Sequence, residues 1–223
     1  MSNIVEQVEA HILSGCTYTA ERAIGVEIET IIYNSNGERI PVNPGTEYSA
    51  ADFIQAIDLG CKDMGTFVTY SLEPGGQVEW ASLPAFNIHE IQNELSNLQK
   101  LIDNVCIEND LTIVDLALDP IYSPNDIRLI DQRKYRLMHD HFTNTGKQGP
   151  WMMRNTASVQ VNIDLLDRQD AEECGYIADS ISPLAAVLFS NSPFMNSQPL
   201  GYKNMRRSEE RRVGKECRSR WSP

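Results

Sequence analysis

Hydrophobic and polar positions change period several times along the chain. Ile4, Val8 and Ile12 recur at helical spacing, which predicts a short amphipathic helix over residues 3–14. The run AIGVEIETIIYNSNGERIPV then reads as a strand, a turn at Asn36-Gly37 and a return strand. Residues 49–65 open with Ser49-x-x-Asp52, a capping pattern, and predict a helix. The stretch YSLEPGGQVEWAS, residues 70–82, alternates on both sides of Pro74-Gly75-Gly76, and that interruption predicts a bulge in one broken strand. Ile88, Ile91, Leu95, Leu98, Ile102 and Cys106 form a helical stripe within residues 87–110. A strand follows at 111–118, a Pro-containing loop at 119–125 and a helix at 133–142. Residues 151–166 predict a strand, and 170–191 a helix interrupted near Pro183. Hairpins followed by helices predict an α+β fold, an antiparallel sheet covered by helices.

Charge narrows the partners. The 223 residues are 41% hydrophobic and carry a net charge of -12, so most of the surface repels nucleic acid and anionic membranes. No apolar run is long enough to span a bilayer, and the N-terminus is acidic and amphipathic, unlike a signal peptide. Five scattered cysteines without a CxxC pattern read as free thiols in a reducing cytoplasm. The last 17 residues, RSEERRVGKECRSRWSP, carry six Arg or Lys against three Glu and no periodic apolar positions. They resemble a translated sequencing adapter, whose opening bases AGATCGGAAGAG read Arg-Ser-Glu-Glu. A natural basic tail for an acidic partner is the alternative. On the adapter reading, residues 1–206 form the natural portion, 207–223 are a disordered artefact, and the protein continues beyond Arg206.

Candidate chemistry lies on the polar faces of three strands. Glu27 and Glu29 are two apart, which puts them on one side of a strand with Cα atoms roughly 6.6 Å apart. Glu73 and Glu79 share a side if the Pro-Gly-Gly break preserves parity. In NTASVQVNIDL, Thr156, Ser158, Gln160, Asn162 and Asp164 take one face, and Ala157, Val159, Val161, Ile163 and Leu165 the other. Several close carboxylates must either raise their pKa values or bind cations. A Glu/Gln/Asn set suits hard divalent ions, Mg²⁺ or Mn²⁺. Two such ions ~3.5–4 Å apart stabilise phosphoryl transfer and would let an acidic protein bind ATP. Two bland or rival readings stand beside this one: solvated faces with ion pairs, and a glycosidase using Glu73 and Glu79 without metal or ATP. There is no Gly-rich phosphate loop, no nucleophile elbow and no Cys-His pair. MHDHF, residues 138–142, reads as ordinary helix surface.

The pieces GVEIE (25–29), SLEPGGQVEWAS (71–82), KYRLM (134–138), MMRNTASVQVNID (152–164) and LFSNSPF (188–194) together resemble the glutamate–cysteine ligase family of plant and proteobacterial type. The resemblance implies a glutamine-synthetase-like catalytic domain, of which this chain is the N-terminal part. It implies an ATP-dependent enzyme that phosphorylates the γ-carboxylate of glutamate and passes the acyl group to the amine of cysteine, the first step of glutathione-type thiol synthesis. No protein nucleophile is required. It further implies Glu27, Glu29, Glu73 and Glu79 as metal ligands or substrate-facing acids. It implies that Thr156, Ser158, Gln160 and Asn162 line the substrate site and that Arg154 and Lys134 contact the nucleotide. A surface ion pair is the plain alternative for Arg154, Lys134 and Arg136. A related ligase with another amine acceptor, or an inactive truncated fragment with an open sheet edge, remain as alternatives.

Overall fold

The computed structural model describes residues 3–63, 69–146, 148–201, 203 and 205. The strand at its centre is β1, Ile24–Asn34, rich in β-branched residues that favour extended backbone. Three strands pair with it, all antiparallel: β3 (Val78–Ala81), β4 (Leu111–Val114) and β5 (Val159–Ile163). β2 (Thr69–Leu72) lies outside β3 and completes a five-stranded sheet. β4 and β5 share one side of β1 end to end, β5 beside residues 24–28 and β4 beside 31–34. The fold is α+β with an antiparallel sheet, as the pattern of elements implied.

Two helices cover one sheet face. α2, Ala50–Asp63, is capped as its sequence predicts: Ser49 and Asp52 exchange bonds, the Ser49 backbone N–H donating to Asp52 Oδ2 at 2.9 Å. α3, Ile88–Glu108, starts at Asn87, whose side chain accepts from the His89 and Glu90 N–H groups. Phe53 and Ile57 of α2 meet Ile91, Leu98 and Val105 of α3 over Ile32, Val78 and Trp80 of the sheet. Full burial of each such large apolar side chain is worth about 1.5–3 kcal/mol, which makes this layer the main stabilising contact. The remaining helices are α1 (Ile4–Leu13), α4 (Arg133–Thr145), α5 (Gly149–Asn155) and α6 (Arg168–Leu188). β6 (Phe194–Met195) and β7 (Gln198–Pro199) form a separate two-stranded ribbon.

Several expectations are corrected. Pro74-Gly75-Gly76 is a hairpin turn between β2 and β3, not a bulge: Glu73 N–H donates to the Gln77 carbonyl at 2.9 Å and Gly76 N–H to the Glu73 carbonyl at 2.8 Å. Gly76 has φ of +84°, a conformation glycine adopts without strain. The return strand after Asn36-Gly37 shrinks to one bridge, Tyr33 to Arg39. Pro41 ends it, since proline supplies no N–H to extend the ladder. Residues 151–166 are not one strand, because 149–155 form α5, with Pro150 in its first turn, and only 159–163 are extended. α6 runs through Pro183 instead of breaking there. The apolar side of β5 is exposed, Val159 by 68% and Val161 by 63%, because α2 and α3 lie over the other four strands. α1 and α6 likewise contain no buried residue. The 207–223 segment lies outside the described residues.

Candidate functional site

The sheet face turned away from α2 and α3 is polar, and register decides what meets on it. Directly opposed residues of paired strands point to the same side. Glu29 of β1 lies opposite Glu79 of β3, and Glu27 lies opposite Gln160 of β5. Side-chain amides and a hydroxyl orient the carboxylates. Asn162 Nδ2 donates to Glu27 Oε1 at 2.8 Å, and Gln160 Nε2 donates to Glu29 Oε1 at 3.2 Å. The Ser158 backbone N–H donates to Glu29 Oε2 at 2.9 Å, and Ser71 Oγ donates to Glu79 Oε1 at 2.9 Å.

Glu73 joins them from the hairpin turn. Burial pushes its carboxyl above the ordinary glutamate value, and the charges of Glu29, Glu79 and Glu27 push it further, while Lys134 opposes them. Glu73 therefore lies within electrostatic reach of Glu29, Glu79 and Glu27. Like charges held this close favour either protonation or a bound cation. The donors are carboxylates and amides, without sulfur or imidazole, which is the chemistry of a hard divalent ion. Among the described residues no three acidic, His or Cys side chains are drawn into a ready-made metal cage. Instead Glu27, Glu29 and Glu79 rest on Asn162, Gln160 and Ser71.

The turn carrying Glu73 is clamped from behind by residues that the sequence pattern did not single out. Arg39 Nη2 donates to the Gly75 carbonyl at 2.9 Å, and Arg39 Nη1 donates to Asp119 Oδ2 at 3.0 Å. The side chains of this ion pair are 3% and 0% exposed. Asp119 Oδ1 also accepts from the Tyr33 hydroxyl at 2.8 Å and from the Ile121 and Tyr122 N–H groups at 2.9 Å each. Burial pushes the Tyr33 hydroxyl well above its usual range, reinforced by Asp119, and pulls the Arg39 guanidinium down against the support of Asp119. Gly75 is pressed so closely on α5 that an added Cβ would lie 2.5 Å from the Arg154 Cα. Gln77 Nε2 donates to the Thr156 carbonyl at 2.8 Å, and the Ile130 N–H to the Pro74 carbonyl at 2.9 Å. In the sequence Asp119 shows only as an acid directly after the apolar run 111–118, and nothing there marks its partner 80 residues away.

The other candidate residues divide. Ser158, Gln160 and Asn162 reach the acidic face. Thr156 is buried beneath it, its hydroxyl donated to the Met152 carbonyl at 3.0 Å. Lys134 is exposed on α4, its ammonium 4.4 Å from the Tyr135 ring centroid, and its charge acts on Glu73. Arg136 makes a surface pair with Asp131 at 3.0 Å. Arg154 is buried, and it donates Nε to the Ile127 carbonyl at 3.0 Å and Nη1 to His139 Nδ1 at 3.1 Å. His139 is therefore not plain helix surface, which corrects the reading of the 138–142 segment.

Residues 23–217 match the family model described as glutamate-cysteine ligase family 2, GCS2. The chain belongs to this family. All five strands of the sheet and every residue of its acidic face fall within the matched span. Relatives in the ligase family include glutamate–cysteine ligase A, chloroplastic, of Oryza sativa subsp. indica, 30% identical over 136 residues, 61% of this chain and 28% of that protein. The chloroplastic glutamate–cysteine ligase of Arabidopsis thaliana is 26% identical over 215 residues, 90% of this chain and 40% of that protein. The tobacco (Nicotiana tabacum) protein of the same name is 31% identical over 136 residues, covering 61% and 26%. The chain thus spans between a quarter and two fifths of the length of these relatives. Membership in a ligase family sets aside the glycosidase reading of Glu73 and Glu79. Among the described residues no helix is long and apolar enough to cross a membrane.

Proposed function

We propose that this chain carries the carboxylate-lined part of the active site of a glutamate–cysteine ligase. The observation that supports it is the meeting of Glu27, Glu29, Glu73 and Glu79 with Gln160 and Asn162 on one sheet face, in a chain of this family. The reaction is the ATP-dependent joining of L-glutamate to L-cysteine. The glutamate γ-carboxylate attacks the terminal phosphorus of ATP, ADP leaves, and γ-glutamyl phosphate forms. The cysteine amine then attacks the acyl carbon, phosphate departs with the C–O electron pair, and the amine loses a proton to give γ-glutamylcysteine.

Glu27, Glu29, Glu73 and Glu79 would hold Mg²⁺ or Mn²⁺. When bound, such ions neutralise the charge that builds on the transferring phosphoryl group. The chain's own residues position the reactants. Gln160 and Asn162 orient Glu29 and Glu27, Ser71 orients Glu79, and the Arg39–Asp119 clamp fixes the turn that carries Glu73. Arg154 and Lys134 supply positive charge for the ATP phosphates. Ser158 and Gln160 face the glutamate side, while Thr156 supports them from below through its contact with Gln77. Partners are small molecules, with neither nucleic acid nor membrane required. The free thiols at Cys16, Cys61, Cys106 and Cys174 suit a reducing cytoplasm.

The test is ADP release by the full-length enzyme with Mg²⁺, ATP and glutamate, with and without cysteine. Cysteine-stimulated release that is lost in Glu27→Gln is the expected result. A folded enzyme that releases no more ADP with cysteine than without it overturns the assignment.

A further inference from the structure

Among the described residues, Arg154 is a buried cation without an acidic partner. It is 7% exposed, and burial alone drives its pKa down. Buried guanidinium groups are ordinarily paired with carboxylates, because an uncompensated charge away from water is unfavourable. Among the described residues it is held by the Ile127 carbonyl and His139 Nδ1, neither of which carries negative charge. A guanidinium has five N–H donors and no acceptor, so the imidazole nitrogen facing it must accept. The contact therefore assigns the acceptor role to Nδ1 and leaves Nε2 as the ring's donor. On the same helix Thr143 Oγ1 donates to the His139 carbonyl at 2.8 Å and lies 3.5 Å from Nδ1.

We propose that His139 is a positioning residue for Arg154, orienting the guanidinium as a neutral acceptor and leaving its charge and remaining N–H groups for an anionic group of a substrate. A carboxylate at this place would orient Arg154 equally well but would neutralise it. An imidazole accepting at Nδ1 orients without neutralising. The inference rests on the ligase reading given above, in which Arg154 meets an anion. α4 thereby has two roles: Lys134 brings charge to Glu73 from its first turn, and His139 seats Arg154 little more than one turn later.

Two measurements test it. The first is the imidazole ¹⁵N spectrum of the labelled protein near neutral pH, which reads the tautomer of His139 whether or not the ligase assignment holds. The expected signature is a neutral ring protonated at Nε2, relaxing toward a mixture of tautomers in Arg154→Met. A ring protonated at Nδ1, or one unchanged by Arg154→Met, overturns the proposal. The second is steady-state kinetics of the full-length enzyme. His139→Ala should raise KM for ATP or for glutamate about tenfold, the loss expected for one hydrogen bond to a charged group, with kcat within about twofold. His139→Asn, whose Oδ1 can stand where Nδ1 stood, should restore most of it. Unchanged KM for both substrates in a folded His139→Ala enzyme reduces the contact to a structural one and overturns the proposal.

Discussion

Removing the Asp119 carboxylate strikes the most heavily bonded buried group near the site. In Asp119→Ala the Arg39 guanidinium, 3% exposed, loses its counter-charge. The Tyr33 hydroxyl and the Ile121 and Tyr122 N–H groups lose their acceptor at the same moment. Breaking a buried ion pair from one side costs about 3–5 kcal/mol, because the survivor remains charged and dry. Each hydrogen bond to a charged group is worth about 1.5–3 kcal/mol, so the four contacts together reach the upper end of that range without adding in full. Against a total stability of about 5–15 kcal/mol, the variant should be only marginally folded. Urea unfolding followed by circular dichroism measures the loss. The double variant Arg39→Met/Asp119→Leu removes both charges and should recover at least half of it, since two apolar groups of similar size leave no buried charge unpaired. A loss below about 1 kcal/mol in Asp119→Ala, or a double variant worse than the single one, would refute the reasoning that unpaired charge dominates.

Other outcomes follow from the same structure. Because the folded-state pKa of Glu73 is raised, its contribution to stability is full below the ordinary glutamate pKa and is lost as pH rises through the raised value. Metal-free Glu73→Gln should therefore match the wild type near about pH 4 and exceed it at about pH 7; urea titrations at both values check this, and lower stability at neutral pH contradicts it. Gly75→Ala places a methyl group 2.5 Å from Arg154 Cα and 2.7 Å from its carbonyl oxygen. It should destabilise by about 1–3 kcal/mol by forcing the turn off α5, and an unchanged Tm would show that the turn shifts freely. Millimolar Mg²⁺ should raise the Tm of the wild type through ligand linkage, and the rise should vanish in Glu27→Gln/Glu29→Gln. Equal rises in both proteins would place cation binding elsewhere.

Local periodicity and capping were legible in the sequence. The α2 start at Ser49, the α3 stripe through Ile91 and Leu98, and the alternation of Val159 to Ile163 all follow from short-range sterics and hydrogen bonding that each segment carries with it. The facing of Glu27 with Glu29, and of Gln160 with Asn162, was legible for the same reason, since parity along one strand is a local property. What those strands paired with was not. Register across β1 depends on turns and core contacts far away in sequence, and it alone brought Glu29 opposite Glu79 and Glu27 opposite Gln160. Tertiary structure also turned the Pro-Gly-Gly break into a hairpin and drew residues 149–155 into a helix packed behind it. The Arg39–Asp119 and Arg154–His139 contacts existed in no pattern of the chain. A polar group carries no mark of its partner until folding removes water and leaves it with one, and that desolvation is what makes the partner matter.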